Sequence, residues 1–99
     1  MMSERISKDL YWVRDLDRVA DNISVWASSK GFDRPNNLAE DTKVLSKLML
    51  VVSEIGEAAE AVRKQDIENF TEELADTMIR ILHLSASLKL DMAGAIWKK

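Results

Sequence analysis

Leu45, Leu48, Val52, Ile55, Ala59 and Val62 recur at spacings of 3, 4, 3, 4 and 3, which places them in one seam along one unbroken helix. A second row on the same stretch, Leu50, Glu54, Glu57, Ala58 and Ala61, lies on a different side and is apolar apart from two carboxylates. A helix that is apolar on two sides is covered only inside a bundle or at an interface between chains. The seam predicts packing against other helices. The rest of the chain offers no competing architecture: Gly (3) and Pro (1) are scarce, no Asn-Gly or Asp-Gly turn occurs, and no long β-branched alternation appears.

The helical period divides the chain into three long stretches and a tail. The first runs from Ser3 or Ser7 to Lys30, with Ile6, Leu10, Val13, Ala20, Ile23 and Ala27 on one face and Trp12, Leu16, Val19 and Trp26 broadening it. Gly31 suits the position just past a helix, and Pro35 cannot continue one. Asn37 reads as an N-cap with Glu40 completing a box, opening a second stretch from Leu38 to Arg63. Lys64-Gln65-Asp66 breaks the pattern, and Asp66 caps a third stretch from Ile67 to Lys89. Phe70, Leu74, Met78, Ile81, Leu82 and Leu88 form its apolar arc; Asn69, Glu73, Asp76, Arg80, His83 and Ser87 form a polar stripe. Asp91 caps a short final helix from Met92 to Lys99. The expected fold is all-α: one domain over residues 1–99, a helical bundle of three long helices plus a short C-terminal helix. Homo-oligomerisation should complete it, because a domain this small buries only about 60–65% of its unfolded surface.

Composition narrows the function. With 14 Lys and Arg against 17 Asp and Glu, the net charge is −3, which argues against a nucleic-acid polymer as partner. The absence of Cys excludes disulfides and thiolate metal sites, and a single His leaves most triads unbuildable. No apolar run approaches the roughly 18 residues of a membrane span, and Met1-Met2-Ser3-Glu4-Arg5 lacks the apolar core of a signal peptide. The expectation is a cytoplasmic domain without a membrane partner.

The residues that carry chemistry are Glu54 with Glu57 and Glu73 with Asp76. Each pair is spaced i, i+3, so its side chains share a helix face. The short Lys64-Gln65-Asp66 spacer makes the two helices antiparallel neighbours, and the pairs fall at similar distances from the turn, facing each other. Four converging carboxylates in a partly apolar groove repel one another and resist ionisation. A divalent cation removes that difficulty, and an oxygen-only set selects Mg²⁺ or Mn²⁺ over Zn²⁺. Mg²⁺ commonly bridges to substrate phosphates, which points to phosphate-ester or phosphoanhydride chemistry. The plain alternative is a solvated acidic face, and on the residues alone it stays open, although the Glu pair interrupts an apolar row and a matching acid pair follows.

The stretch Leu50-Val51-Val52-Ser53-Glu54-Ile55-Gly56-Glu57-Ala58-Ala59-Glu60, followed by Glu72-Glu73-Leu74-Ala75-Asp76, resembles the MazG family of all-α nucleoside triphosphate pyrophosphohydrolases. The family signature is EExxE, a spacer, then ExxD. Ser53 stands at the first acid, while Glu54, Glu57, Glu73 and Asp76 all match. The likeness runs from about Trp26 through Leu90-Asp91, roughly two-thirds of the chain. It implies Mg²⁺-dependent hydrolysis of an NTP or dNTP to the monophosphate and pyrophosphate, serving nucleotide-pool control. It also implies a homodimer, or a homotetramer built from two dimers.

The resemblance further implies roles for individual residues. Glu54, Glu57, Glu73 and Asp76 would hold Mg²⁺ against the triphosphate. Glu57 and Glu60 are both candidates for the general base, and Glu60 reads equally as a solvated helix residue. Lys47, one heptad before Glu54, faces the same way and suits a phosphate contact or the surface. Arg80 suits a phosphate or an i, i+4 pairing with Asp76, the latter favoured; some relatives carry an aromatic there. His83 reads as an interior histidine. Trp26 and Phe32 flank the loop before the second helix, where stacking on a base and packing of helix ends are equal readings. Relatives often continue past the last helix with a phosphate-holding Lys, Asn and Arg cluster; here the sequence reads Trp97-Lys98-Lys99, and either Lys98 and Lys99 stand in for that cluster or the chain is shortened. The rival reading is a non-catalytic helical interaction module. A di-iron carboxylate bundle is disfavoured, because no Glu-x-x-His pair occurs.

Overall fold

The computed structural model describes residues 11–32 and 35–99, with the side chains of the first helix described from residue 15. The proposed start at Ser3 or Ser7, Ile6 and Leu10, and the side chains of Trp12 and Val13 lie outside the described residues. Within them the chain is helical and contains no strand: α1 (Tyr11–Ser29), α2 (Asp41–Arg63), α3 (Ile67–Ser87) and α4 (Met92–Trp97).

Three helix ends close the same way. After α1, Phe32 N donates to Ala27 O and Gly31 N to Ser28 O, with Gly31 at φ 83°. After α2, Asp66 N reaches Ala61 O and Gln65 N reaches Val62 O, with Gln65 at φ 58°. After α3, Leu90 N reaches Ser85 O and Lys89 N reaches Ala86 O, with Lys89 at φ 56°. This left-handed closure suits glycine, and the sequence supplies glycine only at the first. Lys89→Gly should therefore stabilise the protein by about 1 kcal/mol, raising the melting temperature by roughly 4–8 °C in calorimetry.

The N-terminal signals behave unevenly. Asp66 accepts from Asn69 N at 3.1 Å and Asp91 from Gly94 N at 2.8 Å, the expected caps of α3 and α4. The expected box at Asn37 does not form. Asn37 Oδ1 accepts from Ala39 N at 2.8 Å, two residues on, which is a turn rather than a cap. α2 therefore opens at Asp41 instead of Leu38, with Glu40 preceding it without a side-chain cap. Asn favours this local bond because its short amide reaches the second following N–H as readily as the third.

α2 and α3 form the antiparallel hairpin; α1 packs along α3, and α4 along α1. The packing reverses the expected use of α2. The seam of Leu45, Leu48, Val52, Ile55 and Val62 is between 44% and 59% exposed, whereas Val44, Glu54, Ala58 and Ala61 are buried. Glu54, Ala58 and Ala61 of the second row, not the seam, face into the fold, while Leu50 and Glu57 of that row stay exposed. Small residues explain the choice, because Ala58 and Ala61 let two backbones approach closely where leucines would hold them apart. α1 meets α3 through a similar small stripe, Ala20, Ser24 and Ala27, all buried.

α3 departs from expectation in the same way. Leu82 of its apolar arc is buried, but Leu74, Met78 and Ile81 are exposed. Its polar stripe is not a solvated face: His83 and Ser87 are buried and Glu73 and Arg80 half-buried. At 100° per residue, the α2 seam lies about a third of a turn from the Glu54 line, and Leu74 and Met78 lie about a quarter turn from Thr77. In an antiparallel hairpin those rotations bring both rows to one side. The opposite side carries the acids.

Candidate functional site

The acid-bearing side begins with α2, which delivers Glu54 and Glu57 one turn apart, and α3, which returns Glu73 alongside them. Carboxylate oxygens of Glu54, Glu57 and Glu73 all lie within 4.8 Å of one another. Glu54 is buried, Glu73 half-buried and Glu57 exposed, so the group runs from the helix interface out to solvent. Across an octahedral Mg²⁺ shell, opposed oxygens stand about 4.2 Å apart. Small side-chain rotations would bring this hard, all-oxygen set into such a shell, so these residues fit a Mg²⁺-class ion.

Crowding is visible in Glu73. Its carboxyl is pushed up from an ordinary 4.5 to about 6, first by partial desolvation, then by a hydrogen bond with Glu54 and the negative charges of Glu57, Glu54 and Asp76. Asp76 thus acts electrostatically on the cluster while standing outside the tight trio. Folded Glu73 holds its proton more firmly than the unfolded chain does. Stability of the metal-free protein should therefore fall as pH rises from about 4.5 to about 6 and level off above, a component that Glu73→Gln should remove from a melting series.

Arg80, expected to pair with Asp76 on its own helix, instead crosses to α2. Its Nε donates to Glu54 Oε1 at 3.3 Å. A pairing along one helix gains little in water. The buried Glu54 carboxylate has lost most of its hydration and attracts the guanidinium more strongly.

Beside the acids lies a cleft of about 160 Å³. Trp26, Phe32, Pro35, Lys47, Asp76 and Arg80 are among the residues that line it. The Trp26 and Phe32 rings sit 6.2 Å apart at 56°. The closure of α1 fixes this pair, since the Phe32 N–H is one of its capping donors. His83 and Ser87 complete a wall, with Ser87 Oγ donating to His83 O at 2.8 Å.

The predicted residues thus divide. Glu54, Glu57 and Glu73 meet, and Asp76, Lys47, Arg80, Trp26 and Phe32 border the adjoining cleft. Glu60 is exposed and paired with Arg63 at 3.0 Å, away from the trio. Lys98 is exposed at the end of α4, and the cleft does not include it. Sequence reasoning missed Pro35, Ile79 and Leu84 in the cleft lining. Ile79 and Leu84 flank the polar stripe of α3, a signal that periodicity carries; nothing local marks Pro35 as more than a helix stop.

Residues 43–98 match the family model described as the MazG nucleotide pyrophosphohydrolase domain. No curated protein and no solved structure matched the chain. Among the described residues, no helix is long and apolar enough to cross a membrane.

Proposed function

Because the chain belongs to the MazG nucleotide pyrophosphohydrolase family, we propose that residues 1–99 act as one domain hydrolysing a nucleoside triphosphate, NTP or dNTP, to the monophosphate and pyrophosphate. The observation that carries this is the convergence of Glu54, Glu57 and Glu73 beside a cleft whose lining includes Lys47 and Arg80 as well as Trp26 and Phe32.

Glu54, Glu57, Glu73 and Asp76 would hold the ion or ions. Bound Mg²⁺, with Mn²⁺ as a substitute, would supply charge neutralisation for the polyphosphate and a more acidic water. Lys47 and Arg80 place positive charge where the phosphates enter. Trp26 and Phe32 offer π-faces for a base. Glu57, at the solvent edge of the trio, is better placed than Glu60 to take a proton from the attacking water, because Glu60 lies outside the trio and is paired with Arg63. Pyrophosphate would leave against the same cations.

The exposed α2–α3 face fits a second copy of this chain. Leu45, Leu48, Val52, Ile55 and Val62 of α2, with Leu74, Met78 and Ile81 of α3, form one exposed apolar row on it, and a contiguous apolar face of that kind marks an association surface. Two such hairpins packed face to face would form a four-helix core, with two dimers as the route to a tetramer.

Incubation with a panel of NTPs and dNTPs and Mg²⁺ should release pyrophosphate from at least one. If none turns over with either Mg²⁺ or Mn²⁺, the hydrolase assignment of this site fails.

A further inference from the structure

Arg80 and the acid trio compete for one carboxylate. Glu54 is the innermost member, with its side chain 12% exposed, and its Oε1 already receives the Arg80 guanidinium at 3.3 Å. The same oxygen set is the one that converges with Glu57 and Glu73. In the metal-free protein the excess negative charge is offset from within the molecule, and Arg80 supplies the cation.

That cation is held loosely. The contact is one long Nε bond rather than a two-pronged one, and the Arg80 side chain is 38% exposed. Its other border is the cleft, where Lys47 also stands. The guanidinium can therefore rotate from Glu54 into the cleft by side-chain torsions alone, without moving a helix.

We propose that Arg80 is a resident counter-ion: it neutralises Glu54 before a metal arrives and turns to the polyphosphate when a divalent ion takes its place. This rests on reading the three acids as a metal site. A divalent charge beside Glu54 would repel the guanidinium, and a polyanion in the cleft would attract it. Metal and nucleotide binding are then coupled through one side chain, each favouring the Arg80 rotamer that the other needs. Arg80 acts on the metal as a positioning residue and on the phosphate by direct contact.

The test titrates wild type, Arg80→Gln, Arg80→Met and Arg80→Lys with Mn²⁺ alone, read by calorimetry with no nucleotide present. Removing the competing charge should tighten Mn²⁺ binding about threefold or more in the Gln and Met variants, while Lys, which keeps the charge, stays near wild type. With Mn²⁺ saturating, a non-hydrolysable triphosphate analogue should bind the Gln and Met variants more weakly than wild type. A residue that only braces the helices would weaken both ligands or neither. If wild type binds Mn²⁺ and the Gln and Met variants bind it no more tightly, Arg80 is not a displaced counter-ion and the acid site stands. If wild type itself takes up no Mn²⁺, the metal reading falls, and this inference with it.

Discussion

Glu57→Gln should erase the rise in melting temperature that Mg²⁺ produces and should lower pyrophosphate release by about 10²- to 10⁴-fold. An ion that binds only the folded chain stabilises it by about 2.7 kcal/mol at a hundred times its Kd, which for a domain of this size is on the order of 10 °C. The variant is informative because Glu57 is exposed and its charge helps to push Glu73 up. Neutralising it relieves repulsion, so the metal-free variant should melt no lower than wild type. Loss of the Mg²⁺ shift would then report loss of a ligand rather than a damaged fold. An undiminished shift in Glu57→Gln would mean that the ion binds elsewhere, and a wild type with no shift would favour the interaction-module reading.

The second large effect concerns the uncovered face. Val52 lies midway along the α2 seam and is 56% exposed. Val52→Glu places a charge at the centre of the proposed four-helix core, where it would be desolvated without a partner. In sedimentation or light scattering the wild type should weigh as a dimer or larger, and the variant as a monomer at micromolar concentration. The melting temperature should drop with it, since an obligate dimer's stability depends on association. Glu60→Ala, on the exposed acidic side of the same helix, should leave the mass unchanged. An associated Val52→Glu variant would move the interface to another face, and a monomeric wild type would remove the self-association proposal.

Much of the hairpin was legible because its signals are local. The end of α1 at Gly31, the cap at Asp66 and the cap at Asp91 each depend on a few consecutive residues, and the structure places all three. Asn37 shows the limit of the same logic. Its amide had two N–H groups in reach and took the nearer, moving the start of α2 to Asp41. The acid cluster was legible in part: i, i+3 spacing and a three-residue connection predict four converging carboxylates, and Glu54, Glu57 and Glu73 meet while Asp76 stands outside the trio.

Periodicity assigned all-helical structure and, with the length of one connection, set two acid pairs on facing helices, of which Glu54, Glu57 and Glu73 meet. Packing decided the remainder. Which of two apolar rows on α2 faces inward depended on the close approach allowed by Ala58 and Ala61, and that sent Leu48 and Val52 outward. Arg80 bonds to Glu54 rather than Asp76 because burial strengthens a charge pair across helices beyond a solvated one within a helix. Hydrophobic spacing identifies a face but not its partner, and the dielectric around a charge is set only once the chain has folded around it.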